Sequence, residues 1–341
     1  MNMIELLREL CDKNAVSGFE KDIAYFICEK IKNNCDSLYI SRLGNVVAFK
    51  KGTKTPCKKV MYCAHMDEVG IMIRHINDDG TLLFEDVGLM PEVLPSKRVL
   101  IGEKQIPGVI CSKPVHLIKD GANNISADNM YIDIGTFSKE ESEKLGVYAQ
   151  YATFQNEFTV FGDERMIRSK ALDDRIGCAV MIDMINGNLE YDSYFVFTVG
   201  EELGGLGATE AVREVNPDIT IVFESTTASD IPCNNGSERV CTPGNGPVVP
   251  FMDGGTLYDK ELYKKIRTIA EKEKIKTQTK SKIAGGTDAA YIQRSISGVR
   301  VCAVSLACRY IHTGSCVANV SDITEILKLA HTIDKNLESI I

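Results

Sequence analysis

The spacing of hydrophobic positions changes along the chain. Near the N-terminus it has the period of a helix, which predicts helices at 3–13 and 17–32. Ser17 and Glu20 have the spacing of a capping box that opens the second helix. After two predicted strands at 39–40 and 45–50, a short apolar run at 60–64 predicts a buried strand. From Lys170 onward, predicted helices (173–185, 208–215, 259–276 and 322–338) alternate with predicted strands (193–199, 220–223 and 299–305).

The middle of the chain has a different pattern. Short β-prone runs are separated there by Gly, Pro and Asn turns, at 71–73, 81–84, 99–101, 109–110, 131–134 and 159–161. Strands at this spacing predict a small β-rich sandwich or barrel. We therefore expect an inserted domain at 71–163 within a discontinuous domain formed by 1–70 and 164–341.

The alternating helices and strands on both sides of this insertion predict an α/β sheet with helices on both faces. Open sheets of this kind bind ligands beyond the ends of their strands. Polar residues at strand ends are therefore the candidates for function.

Composition excludes several classes of protein. The 341 residues include 39 basic and 47 acidic side chains, a net charge of −8, which argues against a nucleic-acid partner. No apolar run approaches the roughly 18 to 20 residues that cross a bilayer, and residues 1–11 are too charged for a secretory signal. The twelve cysteines form no C-x-x-C pair, so we expect buried thiols in a cytoplasmic protein.

Five polar clusters follow predicted strands or open predicted helices, at 64–68, 172–175, 200–205, 223–226 and 309–312. Each cluster alone has an ordinary structural explanation, such as a helix cap or a solvated turn. Together they supply two histidines and several carboxylates at one type of location. Two imidazoles and three carboxylates can hold two divalent ions if one carboxylate bridges them, and zinc, cobalt and manganese accept this mixed set. The remaining acidic groups could orient a ligand or move a proton.

The ordered motifs AHMDEVG, KALDDRIGCA, VGEELGGLGA, IVFESTTASDIP, GGTDAA and RYIHTG resemble the tetrahedral (TET) aminopeptidases, also called the glutamyl aminopeptidase or FrvX-like family. The resemblance covers essentially the whole chain. It implies a phosphorylase-like α/β/α catalytic domain, with the β-rich insertion serving as a dimerisation domain. It also implies a homo-oligomer of twelve subunits built from dimers.

The resemblance further implies five ligands for two divalent metal ions, with zinc or cobalt favoured over manganese. His65 and Glu224 would bind one ion, Glu202 and His312 the other, and Asp173 would bridge both. Many relatives have Asp where this chain has Glu224, so the extra methylene departs from the family pattern. The charge of the site is unchanged by that departure.

Two further roles come from the resemblance. Asp67 would orient His65, and Glu201 would be the general base that activates a metal-bridging hydroxide. The Asp173–Asp174 peptide bond is expected to be cis. Only the family resemblance indicates which of the adjacent residues Glu201 and Glu202 is the general base and which is the metal ligand.

The function implied is removal of N-terminal residues from peptides. Another amide hydrolase of the same metal clan, such as a carboxypeptidase or an N-acyl deacylase, is the nearest alternative. Glycoside hydrolysis is a weaker alternative, because it needs two carboxylates but neither histidines nor a metal, and the chain has no Trp for sugar stacking. A non-catalytic metal-binding protein is the third alternative. The preferred N-terminal residue is not readable, since no basic pocket can be assigned from the sequence.

Overall fold

The computed structural model describes residues 2–112, 126–231, 236–295 and 298–341. Its α-helices are α1 (Met3–Cys11), α2 (Lys21–Ile31), α3 (Lys139–Leu145), α4 (Leu172–Asn186), α5 (Leu206–Val215), α6 (Lys260–Lys272), α7 (Asp288–Arg294), α8 (Val320–Lys335) and α9 (Leu337–Ile340). The predicted helices are confirmed with shifted ends, and the last one is divided into α8 and α9. The pattern did not predict α3 or α7.

The strands are β1 (Ser37–Ile40), β2 (Val46–Lys50), β3 (Val60–His65), β4 (Gly70–Ile76), β5 (Leu82–Val87), β6 (Arg98–Ile101), β7 (Ile106–Ser112), β8 (Met130–Asp133), β9 (Tyr151–Phe154), β10 (Thr159–Phe161), β11 (Met166–Ser169), β12 (Ser193–Thr198), β13 (Ile219–Thr227), β14 (Arg300–Arg309) and β15 (Cys316–Asn319). Nine of them form one mixed sheet in the order β1-β2-β12-β3-β13-β14-β15-β11-β10.

The centre of this sheet is parallel, which brings the ends of several strands to one edge. Strand β3 lies between β12 and β13, and both pairings are parallel. Cys63 pairs with Val196 on one side and Val222 on the other. The same register places Glu224 of β13 level with His65 of β3. Residues far apart in the chain therefore meet at the carboxyl edge.

Helices cover both faces of the sheet, as predicted. Along β3 the alternate residues Tyr62 and Ala64 pack with α1, α2, α4 and α8, whereas Met61 and Cys63 pack with α5 and α7. A strand buried on both faces must be apolar throughout, which explains the uninterrupted run at 60–64. Helix α4 is almost entirely buried between the sheet and the N-terminal helices.

The β-rich segment forms a closed six-stranded barrel in the order β4-β5-β8-β7-β6-β9. Its interior is apolar, with Leu82, Phe84, Ile110 and Ile132 among its buried residues. The sequence left a sandwich or a barrel open, and the structure has the barrel. The assignment of 159–161 to this segment was wrong, because β10 pairs with β11 in the large sheet. The domain boundaries themselves stay a prediction.

The cysteines of the described residues are all free thiols, and Cys233 lies outside those residues. Seven are buried, including Cys63 and Cys302. Burial raises the pKa of the Cys302 thiol to about 12, so this side chain is an unreactive core residue. Within the described ranges, every helix is too short or too polar to span a membrane.

Candidate metal centre

His65 ends strand β3 and lies buried at the carboxyl edge of the sheet. Its Nδ1 is 3.2 Å from the main-chain oxygen of Asp67 and 3.4 Å from that residue's Oδ1. Both atoms are acceptors, so Nδ1 carries a proton toward Asp67 and Nε2 faces the other carboxylates. Burial acts to lower the pKa of His65, but Glu224, Asp173 and Asp67 outweigh it and raise that pKa well above its usual value.

Asp67 holds three segments of the chain together. Its carboxylate accepts hydrogen bonds from the backbone N–H groups of Glu201 and Glu202, each at 3.1 Å, and from the Ser17 hydroxyl at 2.6 Å. Burial acts to raise the pKa of Asp67, but the bonds from His65, Ser17 and Glu201 keep it below its usual value. Asp67 is thus a fully buried carboxylate anchoring the loop that carries both glutamates.

The predicted capping box at Ser17 was wrong. Helix α2 begins at Lys21, and Glu20 makes no side-chain cap bond to it. Glu20 accepts instead from the backbone N–H of Gly200 at 3.0 Å, while Ser17 donates to Asp67. The spacing of these two polar side chains is typical of partners that bond each other's backbone locally. In the folded protein, Ser17 and Glu20 instead form tertiary hydrogen bonds with the loops of the site.

Asp173 lies between the two predicted histidines. Its Oδ1 is 3.3 Å from Nε2 of His65, and its Oδ2 is 3.6 Å from Nε2 of His312. The Asp173–Asp174 peptide bond is cis, as expected, and the preceding Ala171 has a left-handed conformation with φ 55°. The Asp173 carboxylate, at the start of α4, thus faces both histidines.

Glu224 and Asp174 are buried beside Asp173. Carboxylate oxygens of these three residues, one from each, lie within 4.8 Å of one another. Glu224 is 4% exposed, with Oε2 3.7 Å from Nε2 of His65. Oε2 of Glu224 and Oδ2 of Asp174 have no hydrogen-bond partner among the described residues. Burial raises the pKa of both carboxyls well above the usual range. Buried carboxylates that cluster together and lack hydrogen-bond donors are typical of a site that binds a cation.

Glu201 and Glu202 lie in a tight loop after β12. The backbone N–H groups of Gly204 and Gly205 both donate to the Glu201 carbonyl, and Gly205 has φ 67°. Oε2 of Glu202 lies 3.5 Å from Nε2 of His312. Donor atoms of Glu202, His65 and Asp173 also lie within 4.8 Å of one another. Burial raises the pKa of Glu201 to about 8, with His65 opposing and Asp288 adding to the rise.

The predicted site residues are thus close together, in two groups that share Asp173. His65 and Glu224 lie on one side, and Glu202 and His312 on the other. The His312 side chain is 42% exposed, so its side of the site is the open one. A mixed set of imidazoles and carboxylates suits zinc, cobalt or manganese better than calcium or magnesium.

Three residues near the site were not predicted from the sequence. Asp174 lies in the carboxylate cluster with Asp173 and Glu224, and Ser17 donates a hydrogen bond to Asp67. Asp288 at the start of α7 accepts a hydrogen bond from Thr198 at 2.5 Å, and burial raises its pKa to about 6 against that bond. The only sequence signal for Asp288 was the GGTDAA motif, for which a structural turn was an equal interpretation.

The site opens into a cleft of about 690 Å³. Asp173, Glu201, Glu202, Glu224 and His312 all line it. Its volume is within the roughly 300 to 1,000 Å³ typical of clefts that bind small ligands. The rest of its wall comes from the end of β13, the segment between β13 and α7, helix α7 itself, Ile311 and Met90.

Comparison with known proteins agrees with this architecture. A family model described as M42 glutamyl aminopeptidase matches residues 44–329. A lysyl aminopeptidase of Pyrococcus furiosus is 32% identical over 98% of this chain and 97% of its own. The structure of an aminopeptidase from the archaeon Desulfurococcus kamchatkensis is 34% identical, with a TM-score of 0.92 over 97% of this chain and 94% of that one.

A second similar structure is that of the TET1 peptidase of Pyrococcus horikoshii, described as able to assemble into a tetrahedron or a large octahedral shell. It is 29% identical, with a TM-score of 0.84 over 98% of this chain and 99% of that one. Fold and relatives together define an aminopeptidase. The chain belongs to the M42 glutamyl aminopeptidase family, which confirms the resemblance found in the sequence.

Proposed function

We propose that this aminopeptidase works with two divalent cations held at the carboxyl edge of the sheet. The observation that carries the proposal is the position of Asp173, whose two oxygens face different histidines at 3.3 and 3.6 Å. A carboxylate in this position can bridge two ions. One carboxylate oxygen each of Glu224 and Asp174 accepts no hydrogen bond among the described residues. These oxygens support the proposal, because a nearby cation would stabilise them.

His65, Asp173 and Glu224 would hold one cation, and Asp173, Glu202 and His312 the other. When bound, such cations polarise a scissile carbonyl and lower the pKa of water. Zinc and cobalt are favoured over manganese by the two imidazoles. Glu224 in place of the Asp found in many relatives keeps the charge while extending the side chain into the cluster.

Glu201 is the proposed general base. Its carboxylate lines the cleft beside Asp173, Glu202 and Glu224, where it can accept a proton from a water molecule in the site. The Glu201 carboxylate would take a proton from the attacking water and deliver it to the leaving amine. Asp67 would position this base, since it bonds the backbone of the same loop.

The substrates would be peptides with a free N-terminus, cleaved in the cytoplasm. By analogy with the TET1 peptidase, the chain would assemble into a homo-oligomer, with twelve subunits built from dimers that use the β-rich insertion. Light scattering tests the assembly. A dodecamer would support it, a dimer would indicate incomplete assembly, and a monomer would contradict it.

The activity is tested with metal-free protein reloaded separately with zinc, cobalt or manganese. A panel of aminoacyl substrates should be hydrolysed only after metal is restored. Matched substrates with an acetylated N-terminus should not be hydrolysed. Preferential cleavage of the blocked substrates would indicate a deacylase or carboxypeptidase, and activity that survives complete metal removal would contradict the proposal.

A further inference from the structure

Arg309 and Asp230 form an ion pair between two loops at the carboxyl edge of the sheet. Arg309 ends strand β14, three residues before His312, and Asp230 lies three residues after the end of β13. Nε and Nη2 of Arg309 donate to the two carboxylate oxygens of Asp230 at 2.8 and 2.7 Å. Two parallel bonds between a planar guanidinium and a carboxylate fix the relative orientation of the two groups.

The carboxylate of this pair is buried. The Asp230 side chain is 5% exposed and the Arg309 side chain 35%. The hydrogen bonds from Arg309 lower the pKa of Asp230 against the effect of burial, and the charge of Arg239 adds a smaller effect in the same direction. The pair is therefore ionised and partly shielded from water, which distinguishes it from an exposed ion pair of little weight.

The ion pair lies just beyond the point where the two strands stop pairing. Strands β13 and β14 are parallel, and their last paired residues are Thr227 and Cys308. The backbone N–H of Ala228 then donates to the carbonyl of Cys308 at 2.8 Å. The side chains of Arg309 and Asp230 thus continue the connection after the strand pairing ends, at the start of the loop that carries His312.

His312 lacks the orienting hydrogen bond that His65 has. Nδ1 of His65 faces Asp67, whereas Nδ1 of His312 forms no hydrogen bond among the residues that the structure describes. Histidines that bind metal are usually held by a bond at the second ring nitrogen. The direction of the His312 imidazole must therefore depend on the backbone of its own loop, where Tyr310 and His312 have φ of 57° and 59°.

Bonds inside the loop fix its shape but not its direction. The Thr313 hydroxyl donates to the carbonyl of Tyr310 at 2.7 Å and accepts from the backbone N–H of Ser315 at 3.1 Å. The bond from Arg309 instead joins the base of the loop to the segment that follows the strand of Glu224. It therefore relates the His312 side of the site to the Glu224 side.

We propose that Arg309 and Asp230 are positioning residues for His312, and that their ion pair holds the His312 loop where it completes a cation site with Asp173 and Glu202. The inference rests on the proposed two-cation function. Neither Arg309 nor Asp230 is among the described residues that line the cleft, so the pair acts through His312. The cation site of His65 is held separately by Asp67, so the pair should affect one of the two sites.

The test is a calorimetric titration of metal-free protein with cobalt. Arg309→Met should weaken the binding of one of the two ions by about 10- to 100-fold, as expected for the loss of a residue that orients a metal ligand. The affinity for the other ion should be unchanged. Arg309→Lys, which keeps the charge but not the two parallel bonds, should give an intermediate loss.

The matched control is Arg300→Met, at the other end of the same strand. Arg300 forms a similar pair with Asp259, in which Nε and Nη2 donate to the two carboxylate oxygens at 2.8 and 3.2 Å. This variant should leave both cobalt affinities unchanged. Asp230→Asn should reproduce the loss seen in Arg309→Met, and the double variant should lose no more than the larger single loss, because both changes break the same pair.

Kinetics with Leu-p-nitroanilide separate positioning from a general defect. In Arg309→Met the cobalt concentration that gives half of the maximal kcat should rise by the factor measured in calorimetry. At saturating cobalt, kcat should return close to the value of the unmodified protein, whereas a misfolded variant would not be rescued by metal. If Arg309→Met does not fold, Arg309→Lys and Asp230→Asn give the same readouts.

Failure of the two proposals can be told apart. If the unmodified protein binds fewer than two cobalt ions per chain, the two-cation proposal fails and the inference fails with it. If it binds two, and Arg309→Met binds both as tightly, the two-cation proposal stands and the role of the ion pair is refuted. Equal weakening of both ions, or the same loss in Arg300→Met, would show a general structural effect and overturn the inference.

Discussion

The carboxyl edge of the sheet and the interior of the barrel are both buried, but their contents are opposite. The edge buries ionisable groups such as His65, Asp67, Asp173 and Glu224, some with no hydrogen-bond donor. The barrel buries Leu82, Phe84, Ile110 and Ile132, which need no partner beyond their neighbours. Burial of apolar side chains stabilises the barrel, whereas burial of charged side chains at the edge opposes folding unless cations bind there. Substitutions in the two regions should therefore have separable effects.

The largest effect is expected at the edge, from Glu201→Gln. The amide cannot accept the proton, so kcat should fall by about 10²- to 10⁴-fold. The metal content and the unfolding temperature should stay close to those of the unmodified protein, because Glu201 is not a proposed ligand. Steady-state kinetics and elemental analysis check both parts. Retained turnover would refute the assignment of Glu201 as the base.

The second effect is expected where the two regions meet. Lys170 bonds both oxygens of Glu68, at 2.5 and 2.8 Å, and the hydroxyl of Thr153 in barrel strand β9 at 3.2 Å. The variant Lys170→Met removes the cation that bonds the buried Glu68 carboxylate directly and leaves only Arg175, at 4.0 Å, which should cost about 3 to 5 kcal/mol of unfolding free energy. Denaturant unfolding measures the loss.

Two controls define the Lys170 result. Adding Glu68→Gln to Lys170→Met should recover part of the loss, because the unpaired charge is removed. Lys328→Met, at an exposed lysine paired with Glu325, should cost far less. Equal losses of unfolding free energy for Lys170→Met and Lys328→Met would show that the buried ion pair stabilises the protein no more than the exposed one.

The third effect lies inside the barrel. Leu82→Ala removes a fully buried side chain and should lower the unfolding free energy by about 2 to 5 kcal/mol. The metal content and kcat of the folded fraction should be unchanged. A loss of metal in this variant would contradict the expected separation of the two regions, since it would show that barrel packing and metal binding at the sheet edge are coupled.

The two regions also differ in how far the sequence predicted them. The edge was predictable because parallel strands bring their ends together, so His65 and Glu224 could be placed near each other from their positions after apolar runs. The barrel was predictable only as a run of short strands. Their pairing depends on long-range contacts, and β10, with the same local pattern, pairs in the large sheet instead.

Tertiary contacts explain the remaining errors. Ser17 and Glu20 have the spacing of a capping box, but each bonds a loop distant in the chain. The cis bond before Asp174 was expected only through the family resemblance.

The smallest effect is expected from Ser17→Ala, which removes one donor from Asp67. The loss of a bond to a charged group should cost about 1.5 to 3 kcal/mol, shared between stability and the affinity for metal. Thermal unfolding measures the loss of stability, and metal titration measures the loss of metal affinity. Ser321→Ala, at an exposed serine on α8 remote from the site loops, is the control. If both variants behave alike, the Ser17 bond does not support the site.

The most direct test of the central claim is the number of metal ions per chain, measured by elemental analysis after loading and removal of excess metal. We expect about two ions in the unmodified protein, about one in His312→Ala, and loss of both in Asp173→Ala, because Asp173 would bridge the pair. A ratio of one in the unmodified protein, or two retained in Asp173→Ala, would contradict it.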